Sequence, residues 1–189
     1  MDAHFLAAPP SDNLPLLLAA TEVWHVDGLG HGARAVLPYD ERLARLPAHL
    51  QQLEMESLGK RVTAEGAAVP VRTGPVVFGE PGTNAQHSFM QLVHQGTATV
   101  PVDFVLVAKP DHGHAASHCI LLANALAQAE ALARGRTAEE ARAEMARAGL
   151  PEAEIARLAP HRTFPGDRPS VTILLPALTP HALGALVAP

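Results

Sequence analysis

Apolar positions along this chain recur at two spacings, and the switching between them predicts strands interleaved with helices. Residues 13–25, NLPLLLAATEVWH, read as a short apolar helix behind Asn13, with Pro15 tolerated in its first turn. RAVLPYD (34–40) is a brief strand ending in a turn. ERLARLPAHLQQLEMESLGKR (41–61) carries Leu43, Leu46, Leu50, Leu53 and Met55 near helical period, which predicts one helix with Gly59 as its C-cap. AAVPVRTGPVVFGE (67–80) suggests two short extended runs about a turn at Thr73-Gly74. A helix from Asn84 to His94 and a strand over 98–108, ATVPVDFVLVA, follow.

The second half is more regular. HAASHCILLANALAQAEALARGR (114–136) predicts a long helix with Cys119, Leu122, Leu126 and Ala129 on its apolar stripe and Gly135 at its end. TAEEARAEMARAG (137–149) opens on the capping box Thr137-x-x-Glu140 and is polar over most of its surface. A short helix over 151–158, a buried-type strand at 171–175 (VTILL) and a helix over 179–188 complete the chain. Thr179 is the N-cap of that last helix and Pro180 its first residue. Strands alternating with helices place the chain in the α/β class with a parallel sheet.

Composition narrows the function classes. With 189 residues the chain is long enough for one domain with a sizeable core. A net charge of -5 and the lack of any basic block argue against a nucleic-acid partner. One cysteine, Cys119, cannot form an internal disulfide and suits a reducing cytoplasm. No run approaches the ~18 apolar residues of a membrane span, and the N-terminal residues lack the pattern of a secretory signal. The expectation is a cytoplasmic protein that neither binds nor crosses a membrane.

Two stretches carry candidate chemistry. In GEPGTNAQH (79–87), Thr83 and Gln86 have the spacing of a capping box, which accounts for both without a ligand. It leaves His87 unexplained. In the first turn of a helix the macrodipole favours the neutral imidazole, a form suited to proton transfer; a buried or capping histidine is the plainer alternative. In LQQLEMESLGK (50–60), Gln52 and Glu56 are spaced i, i+4 on one helix face. Glu56 falls at the carbonyl end, where a carboxylate charge is disfavoured, as a base for carbon acids requires; a solvated helix face explains the same residues. His112, His114 and His118 have spacings a metal could use but no matching cysteine or carboxylate cluster, so no metal is expected there. His87 and His94 are too far apart on one helix face to share an ion.

Taken together, the blocks AVLPYDERLARLPAHLQQLEMESLGK, GPVVFGEPGTNAQHSFMQLVHQGT, LLANALAQAEALARGR and HRTFPGDRPSVTILLPALTPHALGALVA resemble the C-terminal half of a bacterial glucose-6-phosphate isomerase from end to end. The MES-x-GK and GEPGTN-x-QH blocks are the most specific. The resemblance implies a SIS-type three-layer α/β sandwich, incomplete here, with a parallel sheet flanked by helices. It also implies a homodimer, no cofactor, and interconversion of glucose 6-phosphate and fructose 6-phosphate in glycolysis and gluconeogenesis.

By position, Glu56 matches the family's base, which moves a proton between C1 and C2 through a cis-enediol. His87 matches the histidine that assists ring opening and is contributed across the dimer interface, and Gln52 matches a substrate-lining glutamine. Leu58 stands where the family has the Asn of MESNGK, which puts a polar contact in question. Ala85 replaces the Gly of TNGQH at a position compatible with a helix. The resemblance further implies that residues 1–189 are mostly a second SIS domain. The phosphate-gripping N-terminal domain, the G-G-R-[FY]-S arginine and a C-terminal catalytic lysine would lie outside it. The expectation is then a chain that is weakly active or inactive alone and poorly soluble. The alternatives are a non-catalytic sugar-phosphate-binding module and one half of a split enzyme.

Overall fold

The structure is a computed structural model and describes residues 2–187. Its strands are β1 (Ala33–Pro38), β2 (Val76–Phe78), β3 (Val102–Lys109) and β4 (Ser170–Ala177). They form one parallel sheet in the order β2-β1-β3-β4. Central β1 and β3 read as near-continuous apolar runs because helices cover both their faces.

Alternate side chains of these strands serve opposite faces. On one, Ala35, Leu37, Phe104 and Leu106 pack with α4 (Gly82–Ala85), α5 (Met90–Gln95) and α6 (Ala115–Arg134). On the other, Val36, Val77, Val105 and Val107 pack against Leu43, Leu46 and Leu50, the last two on α3 (Leu46–Leu50). Leu186 of α9 (Pro180–Val187) joins that face. The result is the three-layer α/β sandwich expected from the sequence. A satellite cluster of Met145, Ile155 and Ala159 holds α7 (Ala138–Arg147) to α8 (Glu152–Arg162).

Several local signals act as read. Asn13 caps α2 (Leu14–Val23), its side chain accepting from Leu16 N at 3.3 Å. Thr137 and Glu140 form the reciprocal capping box at 3.1 and 2.9 Å. Thr179 Oγ1 accepts from Ala182 N at 3.1 Å and starts α9, whose predicted last residue, Ala188, lies outside the described residues.

Other elements depart from expectation. Residues 41–61 are not one helix: a 3-10 turn (Glu41–Leu43), α3 and a π-helical turn (Gln51–Glu56) follow one another. Pro47 lacks an amide proton and sits at the start of α3, so it begins a new helix rather than continuing the old one. Helix 84–94 is likewise split. Phe89, at φ -129, breaks it and packs edge-on against Phe78 with ring centroids 4.9 Å apart. Only β2 forms a strand within 67–80; the earlier run contributes an isolated bridge between Val62 and Ala68. The inward stripe of α6 is His118, Leu122, Ala125, Ala129 and Leu132, so Cys119 and Leu126 face outward. β4 is an edge strand with Leu175 buried and Leu174 58% exposed, not the fully buried strand expected. α2 runs on into a π-helical turn, Trp24–Gly28, and α1 (Asp2–Ala7) precedes it.

Candidate active site

Gln52 and Glu56 lie on the π-helical turn that follows α3, and both side chains are exposed. What fixes this turn is strand β2. On its outer edge the Val77 N–H and C=O have no neighbouring strand. Gln51 Nε2 donates to Val77 O at 3.0 Å, and Met55 Sδ accepts from Val77 N at 3.3 Å. The two side chains stand in for a missing strand and satisfy a pair of groups that an edge leaves open. Glu54, from the same turn, pairs with Arg34 on β1.

Strand β2 also leads into GEPGTN, and here the two glycines explain the turn. A Cβ at Gly79 would lie 1.9 Å from the Val36 carbonyl, and one at Gly82 would lie 2.0 Å from the Tyr39 ring. Both positions therefore let the turn press onto the end of β1. Pro81 then precedes the first helical residue, so α4 begins at Gly82 and Thr83 falls inside it. The Thr83/Gln86 capping box does not form, because the helix starts two residues too early for Thr83 to cap it.

His87 consequently sits in the exposed turn between α4 and α5, its amide donating to Asn84 O at 2.9 Å. The dipole argument for it as a first-turn residue loses its basis; its placement on a turn bolted to β1 does not. His94 is separated from it by the break at Phe89 and occupies α5, where its Nε2 donates to Gln128 Oε1 at 2.8 Å. Ala85, at the position of the family glycine, is fully buried in the core. Leu58 is exposed beyond the π-helical turn.

Gln52 and Glu56 thus lie on the turn held to β2 and His87 on the turn after α4, and the three do not line a common cavity. The principal concavities among the described residues are lined by other side chains. One of them, a cavity of about 210 Å³, lies on the α3 face of the sheet between Leu18, Leu46, Val105 and Ile173. Its charged wall is a feature that the sequence reading misses. Arg34 contacts Glu22 and Glu54, and its Nε is 3.5 Å from Asp103. Burial works against the Arg34 charge, yet the three carboxylates outweigh it and hold the guanidinium above its ordinary value. Burial lifts Glu54 and Asp103 above the usual carboxylate range, against the pull of Arg34 and with repulsion from Glu22 added. All the partners cannot be satisfied by one cation. An arginine opening an otherwise apolar strand, and a glutamate two residues before Glu56, are the available signals.

The histidines of the 112–118 loop cluster, with ring centroids 5.7 Å apart for His112 and His114 and 5.8 Å for His112 and His118. His118 is buried and its Nε2 donates to Val107 O at 2.8 Å, closing the end of β3. Among the described residues no group of three or more His, Cys, Asp or Glu side chains is arranged to hold a metal ion. Among them, too, no helix is long and apolar enough to cross a membrane.

The phosphoglucose isomerase family model matches residues 1–189. The chain belongs to that family. It is 56% identical over 191 residues to a glucose-6-phosphate isomerase of Chelativorans sp. (strain BNC1) and 58% identical over 191 residues to one of Jannaschia sp. (strain CCS1). In each case all of the chain aligns with 35% of the relative, so it spans about a third of their length. Its fold is similar to the crystal structure of a glucose-6-phosphate isomerase from Chlamydia trachomatis D/UW-3/Cx. The TM-score is 0.80 at 37% identity, over 98% of this chain and 33% of that one. A hypothetical protein from Thermus thermophilus shares the fold alone, with TM-score 0.61 at 23% identity over 95% of this chain and 38% of that one. Its parallel sheet with helices on both faces is similar to that of a solved relative.

Proposed function

We propose that this chain carries the proton-transfer part of an aldose–ketose isomerase site acting on glucose 6-phosphate and fructose 6-phosphate. Glu56 takes the proton from C2 of the aldose, leaving a cis-enediol, and returns it to C1 to give the ketose. His87 protonates the ring oxygen as the sugar opens, in the site of a second copy within a homodimer, and Gln52 hydrogen-bonds the substrate. The chemistry belongs to glycolysis and gluconeogenesis, and the setting is the cytoplasm.

The observation that carries this reading is the match to the family over residues 1–189, which brings the MES and TN-x-QH blocks with it. The geometry supports it in a specific way. Both blocks sit on turns locked to neighbouring strands, and both present their polar side chains outward. A base and an acid held on rigid supports, open to a substrate bound between copies, suit proton transfer.

On this reading the phosphate grip and the charge stabilisation of the enediolate come from parts of the family's fold beyond the matched third. One such donor is commonly worth ~10²–10³ in rate, so turnover by this chain is expected to be weak. The test is conversion of fructose 6-phosphate by the purified chain beside Glu56→Gln. Weak turnover lost in the variant supports the proposal. Equal turnover in both contradicts the role of Glu56, and tight binding without turnover favours a sugar-phosphate-binding module.

A further inference from the structure

We propose that Arg34 and Glu54 are positioning residues for Glu56, holding the π-helical turn in one orientation on the sheet; this rests on the isomerase reading above. The turn Gln51–Glu56 has two sides. Gln51, Glu54 and Met55 make the contacts toward the sheet, Glu54 being the half-buried one of the three, while Gln52 and Glu56 are exposed and make no side-chain contact of that kind. The three anchors converge on a small target. Gln51 and Met55 hold Val77, and Glu54 holds Arg34, the residue in register with Val77 on the neighbouring strand. Two anchors on one residue leave rotation about that point; the third, on β1, removes it.

Arg34 is suited to this because it cannot drift. Its Nη1 bonds Glu22 of α2, its Nη2 bonds Glu54, and its Nε faces Asp103 of β3 at 3.5 Å. The planar guanidinium hydrogen-bonds Glu22 and Glu54 at once through Nη1 and Nη2, which a lysine ammonium does not do with fixed geometry, while Nε has Asp103 only as a charge neighbour. The side chain is 16% exposed, so solvent competes little for these contacts. Glu54 lies two residues before Glu56, so a rotation of the turn would carry the Glu56 carboxylate with it. A misplacement of about 1 Å costs on the order of 10²-fold in rate.

The test compares Glu54→Ala and Glu54→Gln with the parent chain by two readouts. Amide hydrogen exchange needs no turnover. In Glu54→Ala the amides of residues 52–57 are expected to exchange about tenfold faster, with those of Phe104 to Val107 unchanged. Glu54→Gln keeps an acceptor for Arg34 Nη2 and should restore most of the protection. Unchanged exchange at 52–57 in Glu54→Ala overturns the proposal, as does equal loosening in both variants.

The second readout is deuterium uptake from solvent into fructose 6-phosphate. Glu54→Ala is expected to lower kcat at least tenfold with KM within about twofold, because substrate contacts stay while the base is misaimed. Faster exchange with kcat unchanged overturns the positioning role. Absence of uptake in the parent chain counts against the isomerase reading itself, and amide exchange with its Gln rescue then decides whether Arg34 and Glu54 orient the turn.

Discussion

The side-chain amide of Gln51 donates to the main-chain carbonyl of Val77 at 3.0 Å, closing the outer edge of strand β2. A residue from a helical turn thereby does what a neighbouring strand would do. Because Gln52 and Glu56 belong to the same turn, the hydrogen bond that completes the sheet also aims the candidate base. Gln51→Ala is expected to lower stability by about 1 kcal/mol, the net loss of a hydrogen bond at a partly buried site. The urea midpoint should fall without a change in slope.

Two threonines that look alike in sequence should behave differently. Thr137 caps α7 with Glu140, and Thr137→Ala should cost about 1 kcal/mol. Thr83 lies inside α4, whose start at Gly82 has no side-chain cap, so Thr83→Ala should be close to neutral. Thermal unfolding of the two variants side by side checks this.

The glycine ahead of Thr83 is the sensitive position. An alanine methyl at Gly82 would fall 2.0 Å from Cε2 of the buried Tyr39 ring, so strand end or turn must shift. Gly82→Ala is expected to destabilise by about 1–3 kcal/mol, as overpacking does. A change of that size read by urea unfolding, with slowed turnover, would tie the GEPGTN turn to the placement of His87.

These contrasts show what can be read in the sequence. The alternation of strands and helices and the caps at Asn13, Thr137 and Thr179 are legible because each depends on neighbours within a few residues, and the parallel sheet follows from the alternation, although its pairs lie far apart in sequence. The stripe expected on α6 shares Leu122 and Ala129 with the true one but is turned toward Cys119 and Leu126 instead of His118, Ala125 and Leu132. Cys119 and Leu126 are apolar yet face outward, while His118 is buried against a carbonyl. Helical period carries the reading of 41–61 and 84–94 across breaks that come from Pro47, and from Phe89 meeting Phe78, a contact between distant residues. Glu56, His87 and Gln52 stand out from local pattern and family blocks. Arg34, Glu54 and Asp103 do not, because their meaning arises only when β1, β3 and the π-helical turn come together.

That charged cluster sets a pH dependence. Glu54 and Asp103 both have raised values in the folded chain, so between their ordinary values of 4.5 and 3.8 and the raised ones the folded state binds more protons than the unfolded. Their contribution to stability is therefore lost as pH rises through that window. Asp103→Asn should make this fall shallower. Urea midpoints for parent and variant across mildly acidic to neutral pH test it, and a steeper fall in the variant would contradict the assignment.

Exposed apolar side chains should make the isolated chain self-associate. Trp24, Ile120, Leu126 and Leu174 are each more than half exposed, and Leu174 lies on the open edge strand β4. Leu174→Lys is expected to reduce light scattering at high concentration without lowering the urea midpoint.

Glu56 is the group proposed to move the proton. The most direct test of that role is deuterium incorporation at C1 of fructose 6-phosphate in deuterated water, followed by NMR with the purified chain and with Glu56→Gln. Slow incorporation by the parent chain, absent in the variant while its fold is unchanged, is the expected result. Incorporation at the same rate in both proteins would contradict it.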